Sequence, residues 1–118
     1  MTDYQHFTGK TTIAPDVLQT ITLLTTLNVP GVSRMSPAPA HVSRLFKRSI
    51  SEGVLIDVQD DAVFADVYIV LNNGVNIREV SRAIQREVAR AISEMVGMQV
   101  GRVNIHVEDI DYPPETEV

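Results

Sequence analysis

The chain contains no cysteine and no tryptophan, and aromatic residues fill only 5% of its 118 positions. Without thiols there are no disulfides, no thiolate nucleophile and no thiolate metal ligands. No apolar run approaches the roughly 20 residues that cross a bilayer as a helix. The opening residues MTDYQHFTGK lack the basic-then-apolar order of a secretory signal. The expected location is therefore the cytoplasm, with any membrane association peripheral or borrowed from a partner. Basic residues are also scarce: ten stand against fifteen acidic ones, a net charge of −5. That balance argues against a dedicated nucleic-acid binder, whose footprint is usually net basic. A local basic face can still sit on an acidic body.

What is present suits one globular domain. A chain of this length buries roughly two thirds of its unfolded surface, enough for a core without staples. Residues 1–8 read as a flexible leader, and GKTTIA at 9–14 as a short strand. PDVLQTITLLTTL then reads as a helix. Pro15 suits the first helical position and Asp16 the positive end of the dipole. Val17, Ile21 and Leu24 recur at helical spacing with Leu18 and Leu27 beside them, and Pro30-Gly31 is the stop. Residues 33–52 form an irregular loop or short helix, with Val42, Leu45, Phe46 and Ile50 as its apolar edge beside Arg44, Lys47 and Arg48. GVLIDVQ and AVFADVYIVL both alternate with period 2, and the Asp60-Asp61 pair between them makes a tight hairpin. If Gln59 faces Ala62, then Val58 meets Val63 and Ile56 meets Ala65, so the apolar faces coincide. Asn76 and Glu79 form a capping-box pattern for a helix that ends at Gly97. RVNIHVED is a last strand with Val103, Ile105 and Val107 inward, and residues 112–118 are an acidic tail. The order β-α-β-β-α-β predicts an α+β two-layer sandwich: a small mixed sheet of three to four strands with two main helices on one face. Residues 9–111 make the single domain.

Little in the sequence points to chemistry. Gly9-Lys10-Thr11 matches the end of a phosphate loop, but Tyr4 stands where that motif needs its first glycine. His6, His41 and His106 have no histidine partner at ligand spacing, so no metal and no cofactor is expected. Asp57 and Asp66 lie diagonally on the outer face of the hairpin and read as solvated carboxylates rather than an acid–base pair, which needs a desolvated cleft. No catalytic residue is assigned. Two surfaces stand out instead. Leu55, Phe64, Tyr68 and Val70 share the outer sheet face with Asp57, Asp66, Arg102, Asn104 and His106, a mixture suited to a protein partner. Cover by residues 33–52 or by the tail explains the same pattern equally well. On the second helix, Ile77, Val80, Ile84, Val88, Ala91, Ile92 and Met95 fall within an arc of roughly 120°. Arg78, Arg82, Arg86 and Arg90 take the opposite side. Glu79 can reach Arg82 and Glu87 can reach Arg90, whereas Arg78 and Arg86 have no acidic residue one turn away. The stripe is thus either a solvated helix face or a grip for an acidic partner.

GKTTIAPDVL, the VPGV of Val29 to Val32, and the run from EGVLIDVQDD through GVNI to GMQV and VNIHV occur in an order that resembles the alkaline shock protein family of envelope stress response proteins, the general-stress Gls type. The likeness spans about residues 8–111. It implies a non-enzymatic protein of cell-envelope homeostasis, a self-associating or partner-binding scaffold held at the inner face of the membrane by an anchored protein. The competing expectation is a nucleic-acid-binding or regulatory module that uses the basic helix face, with affinity falling steeply in salt.

Overall fold

A computed structural model describes residues 8–41 and 50–113. The elements are α1 (Pro15–Asn28), β1 (Val32–Met35), β2 (Ile50–Ser51), β3 (Val54–Gln59), β4 (Ala62–Asn72), α2 (Ile77–Val96) and β5 (Gln99–Asp111). The Val42, Leu45 and Phe46 edge with its neighbouring cations, His6, and most of the leader and tail lie outside the described residues.

The hairpin forms in the register that the alternation dictates: Gln59 opposite Ala62, Val58 opposite Val63 and Ile56 opposite Ala65. Asp60 and Asp61 both take positive φ, 52° and 64°, the geometry of a two-residue turn that matches the twist of its strands. β4 is the spine of the sheet. β5 runs parallel to it along all eleven residues, as a helical crossover through α2 requires. On the other edge β3 covers only the first half of β4, up to Val67. β1 takes over antiparallel, with Met35 opposite Ile69 and Val32 opposite Leu71. β2 pairs with β3 outside it.

The handover from β3 to β1 occurs at Tyr68. Its N–H donates to the Gly53 carbonyl at 2.9 Å, and its carbonyl accepts from the Ser36 N–H at 2.9 Å. This arrangement corrects the expected position of the first strand. Residues 9–14 form no strand. Their only large apolar side chain is Ile13, so a strand there would bury little. β4, by contrast, outlasts β3 and leaves Ile69 to Leu71 with an open edge that must find partners. The segment directly after α1 supplies them, and the order begins α-β rather than β-α.

Both helices pack on one face of this mixed sheet, giving the α+β two-layer sandwich. Asn76 caps α2 by accepting the Glu79 N–H at 3.0 Å, and Gly97 ends it at φ 76°. Val80, Ile84, Val88 and Ile92 form the buried line of α2 against Val54, Ile56, Val63, Ala65, Val67, Ile69, Leu71 and Val103 of the sheet. Ile77 and Met95, expected in that arc, lie in the first and last turns of α2 and are exposed.

The larger departure is in α1. Its buried side consists of Leu18, Gln19, Ile21, Thr22 and Thr26. Val17, Leu24 and Leu27, expected in the core, are 45%, 57% and 42% exposed. The roll of the helix is set at its exit: Val29 is buried, and Gly31 sits so close to α2 that a Cβ there would lie 2.8 Å from Val80 Cγ2. Anchored there, the helix turns its threonines inward. The Thr26 hydroxyl donates to the Thr22 carbonyl at 2.7 Å, but the buried Thr22 hydroxyl has no hydrogen-bond partner among the described residues. Thr22→Val keeps the shape and removes that unsatisfied group. It is expected to raise stability by about 1 kcal/mol, read as a higher urea midpoint at unchanged slope. A lower midpoint would contradict the assignment.

Candidate interaction surfaces

The solvent side of the helix layer has two unlike halves. On α1, Val17, Thr20, Leu24 and Leu27 lie within about 80° of arc at 100° per residue. No charged residue occurs from Val17 to Ser33. A helix that is apolar on both sides normally has both sides covered. Periodicity alone hides the stripe, because Ile21 fits Val17 and Leu24 as well as it fits Leu18. The absence of charge over that stretch is the signal that exposes it.

On α2 the arginines point outward, as the spacing dictates, but their pairing differs from the expected one. Arg90 Nε lies 3.3 Å from Glu94 and its Nη1 3.9 Å from Glu87. Arg86 reaches Glu87 at 3.5 Å, a sequence neighbour rather than a residue one turn away. Arg78 and Arg82 make no ion pair among the described residues. Glu79, expected to hold Arg82, instead occupies the capped first turn. Within the stripe, the cations free of ion pairs among the described residues are thus Arg78 and Arg82, not Arg78 and Arg86. Exposed pairs of this kind contribute a few tenths of a kcal/mol, so a stronger partner can replace them. Between the helices runs an open groove of about 510 Å³, with Thr25, Asn28 and Pro30 on one wall and Arg86, Arg90 and Met95 on the other.

The far face of the sheet is largely self-satisfied. Leu55, Tyr68 and Val70 are 7%, 5% and 1% exposed, so three of the four apolar residues expected on a partner surface are buried; Phe64 is half-buried. The Phe64 ring lies over Gly101, where a Cβ would come within 2.5 Å of it, and the Arg102 guanidinium stacks above at 5.5 Å from the ring centre. Asp66 accepts from Asn104 Nδ2 at 3.1 Å and meets His106 Nε2 at 2.8 Å. The His106 ring stacks on Tyr68 with centroids 4.4 Å apart. Burial, and then the charges of Asp66 and Glu108, push the Tyr68 phenol above its ordinary pKa. Asp57 accepts from Gln59, and the diagonal Asp57–Asp66 pair does not converge on a shared site. Asp111, at the end of β5, reaches across β4 to Ser33 Oγ at 2.6 Å and Arg34 Nε at 3.0 Å on β1. The hydrogen bonds from Arg34 and Ser33 hold its carboxyl below the usual range, while the Asp111 carboxylate raises the Arg34 guanidinium. These contacts tie three strands together, which is a structural role. Among the described residues no cluster of three or more His, Asp or Glu has the geometry to hold a metal ion.

Residues 3–112 match the model of the alkaline shock protein family, which is described as having a cell envelope-related function. The chain belongs to the alkaline shock protein family. Within curated proteins, this family member is 31% identical over 111 residues to the uncharacterized protein YqhY of Bacillus subtilis, covering 92% of this chain and 82% of that one. It is 36% identical over 106 residues to the uncharacterized protein Spy1535 of Streptococcus pyogenes, covering 89% and 81%. Among solved structures it is similar to the copper form of the MamM CTD, with a TM-score of 0.58 at 14% identity over 86% of this chain and 92% of that one. At that identity the likeness is one of fold alone. No helix among the described residues is long and apolar enough to cross a membrane.

Proposed function

We propose that this chain is a non-enzymatic interaction module of the cell envelope that binds a protein partner through the solvent face of its helix layer. The observation that carries the reading is the inverted α1, which buries Gln19, Thr22 and Thr26 while exposing Val17, Leu24 and Leu27. Exposed apolar stripes without charge mark surfaces that are covered in use. The arginines of the same helix layer, Arg86 and Arg90 on the groove wall and Arg78 and Arg82 farther out on α2, define the chemistry of the partner: an apolar ridge accompanied by carboxylates. The envelope-related description of the family supports a partner anchored in the membrane, with this chain held at the cytoplasmic side. The far sheet face, with Leu55, Tyr68 and Val70 buried, has less to offer an incoming protein.

The test is affinity capture from native lysate, with and without the membrane fraction, using three forms: wild type, Leu24→Glu with Leu27→Glu, and Arg78→Glu with Arg82→Glu and Arg86→Glu. All the altered side chains are exposed, so the variants should fold. The expected result is loss of the same captured protein in both variants, by about tenfold or more. An unchanged partner set in both would show that the helix face is idle.

A further inference from the structure

The sheet ends in a long strand with one partner only. β5 spans thirteen residues and pairs with β4; no strand pairs with its other edge among the described residues. Such an edge presents N–H and C=O groups that no strand satisfies, here with one carbonyl occupied, that of Val103, which accepts from Gln85 Nε2 at 3.0 Å; proteins usually blunt such edges with proline, short length or inward-pointing charge. β5 has none of these in its central part: it contains no proline, and its inward residues are Val103, Ile105 and Val107. Ile105, Val107 and Ile110 are only half-buried where they pack against the core, so the apolar layer stops short at this margin. The register with β4 shifts between Val100 and Arg102 and again between Val107 and Asp109. The extra residues at these bulges are Gly101 and Glu108, and they bracket a regular stretch from Arg102 to Val107. Six residues is an ordinary strand length.

The side chains on this stretch match their own reversed order. Antiparallel pairing about a two-fold axis at Ile105 sets Val103 opposite Val107, Asn104 opposite His106, and Arg102 opposite Glu108 of a second copy. Apolar then meets apolar on the inner face, and on the outer face each arginine meets a glutamate. Next in alternation after the inward Val103, Ile105 and Val107, Glu108 falls on the outer side. Arg102 projects from the same face, over Phe64. Both are exposed, and neither makes a salt bridge among the described residues. Shifting the axis by one residue, to Asn104, sets Arg102 opposite His106 and removes the complementary pair. We propose that two copies of this chain join through the free edges of β5, antiparallel about Ile105, making one continuous sheet across the dimer with reciprocal Arg102–Glu108 ion pairs. This interface is independent of the helix-layer reading, since it lies at the sheet margin and leaves α1 open.

The experiment is sedimentation equilibrium over a concentration series on the wild type, Arg102→Glu, Glu108→Arg and the double reversal, with thermal melts as a check on folding. The wild type is expected to dimerise. Each single reversal places like charges opposite one another twice per dimer and should weaken association by about tenfold, while the double reversal should restore it. A second readout is hydrogen exchange of the 102–107 amides, which should slow as concentration rises. A wild type that stays monomeric at its solubility limit overturns the proposal. So does a dimer indifferent to the single reversals, or one that the double reversal fails to rescue.

Discussion

Replacing Gly53 with alanine is expected to cost about 3 kcal/mol or more, among the largest effects of any single methyl group added to this chain. Gly53 has φ 84°, a region that costs an alanine about 1 kcal/mol by itself. The rest comes from contact. A Cβ at this position meets the carbonyl oxygens of Ser36 and Tyr68, the latter at 3.0 Å. Both are backbone atoms of residues whose positions are fixed by the hydrogen bonds that pass β4 from β3 to β1, from Tyr68 N–H to Gly53 and from Ser36 N–H to Tyr68. Neither can yield as a side-chain tip would, so the two strands must part at Tyr68. Gly74→Ala separates the two causes. It has a similar φ of 91° but nothing within 4 Å of the added carbon, so only the conformational part, about 1 kcal/mol, should appear. Urea unfolding of both variants measures the difference. Equal losses would show that the strand junction is not close-packed as described.

Leu18→Ala and Leu24→Ala form the second contrast, on the same helix and with the same atoms removed. Leu18 is 1% exposed and packs in the core, whereas Leu24 is 57% exposed. Truncating the buried leucine should cost about 3 kcal/mol through lost transfer energy and the cavity left behind. Truncating the exposed one should stay within about 0.5 kcal/mol. A reading of α1 by its Val17-Ile21-Leu24 spacing predicts comparable losses at both sites, so the experiment decides directly how the helix is rolled.

These two helices show why part of the fold is legible in the sequence and part is not. In α2 the apolar and charged residues separate cleanly, so spacing alone assigns Val80, Ile84, Val88 and Ile92 to the core. The hairpin is equally plain, because period-2 alternation on both sides of Asp60-Asp61 admits one register that joins the apolar faces. α1 carries apolar residues on all sides, and periodicity then has no preferred direction. Its roll is fixed by tertiary contacts at Val29 and Gly31. The first strand is hidden in the sequence for a related reason: the short VSRM segment owes its pairing to the open edge of β4, a property of the sheet rather than of the segment. Of the candidate surfaces, the outward arginines are visible in the sequence. Their partners are not, because a capped first turn diverts Glu79 and side-chain reach links Arg86 to its neighbour. Alternation also leaves open the burial of Leu55, Tyr68 and Val70 on the far face, since it assigns a face but not its covering.

A photoreactive residue placed at Leu24 in living cells, with a second placed at Phe64 on the far sheet face, shows which side of the molecule receives a protein partner. Adducts to another protein are expected from position 24, with few or none from position 64. Adducts from position 64 with none from position 24 would contradict a partner on the helix layer and move the partner surface to the opposite side of the sheet.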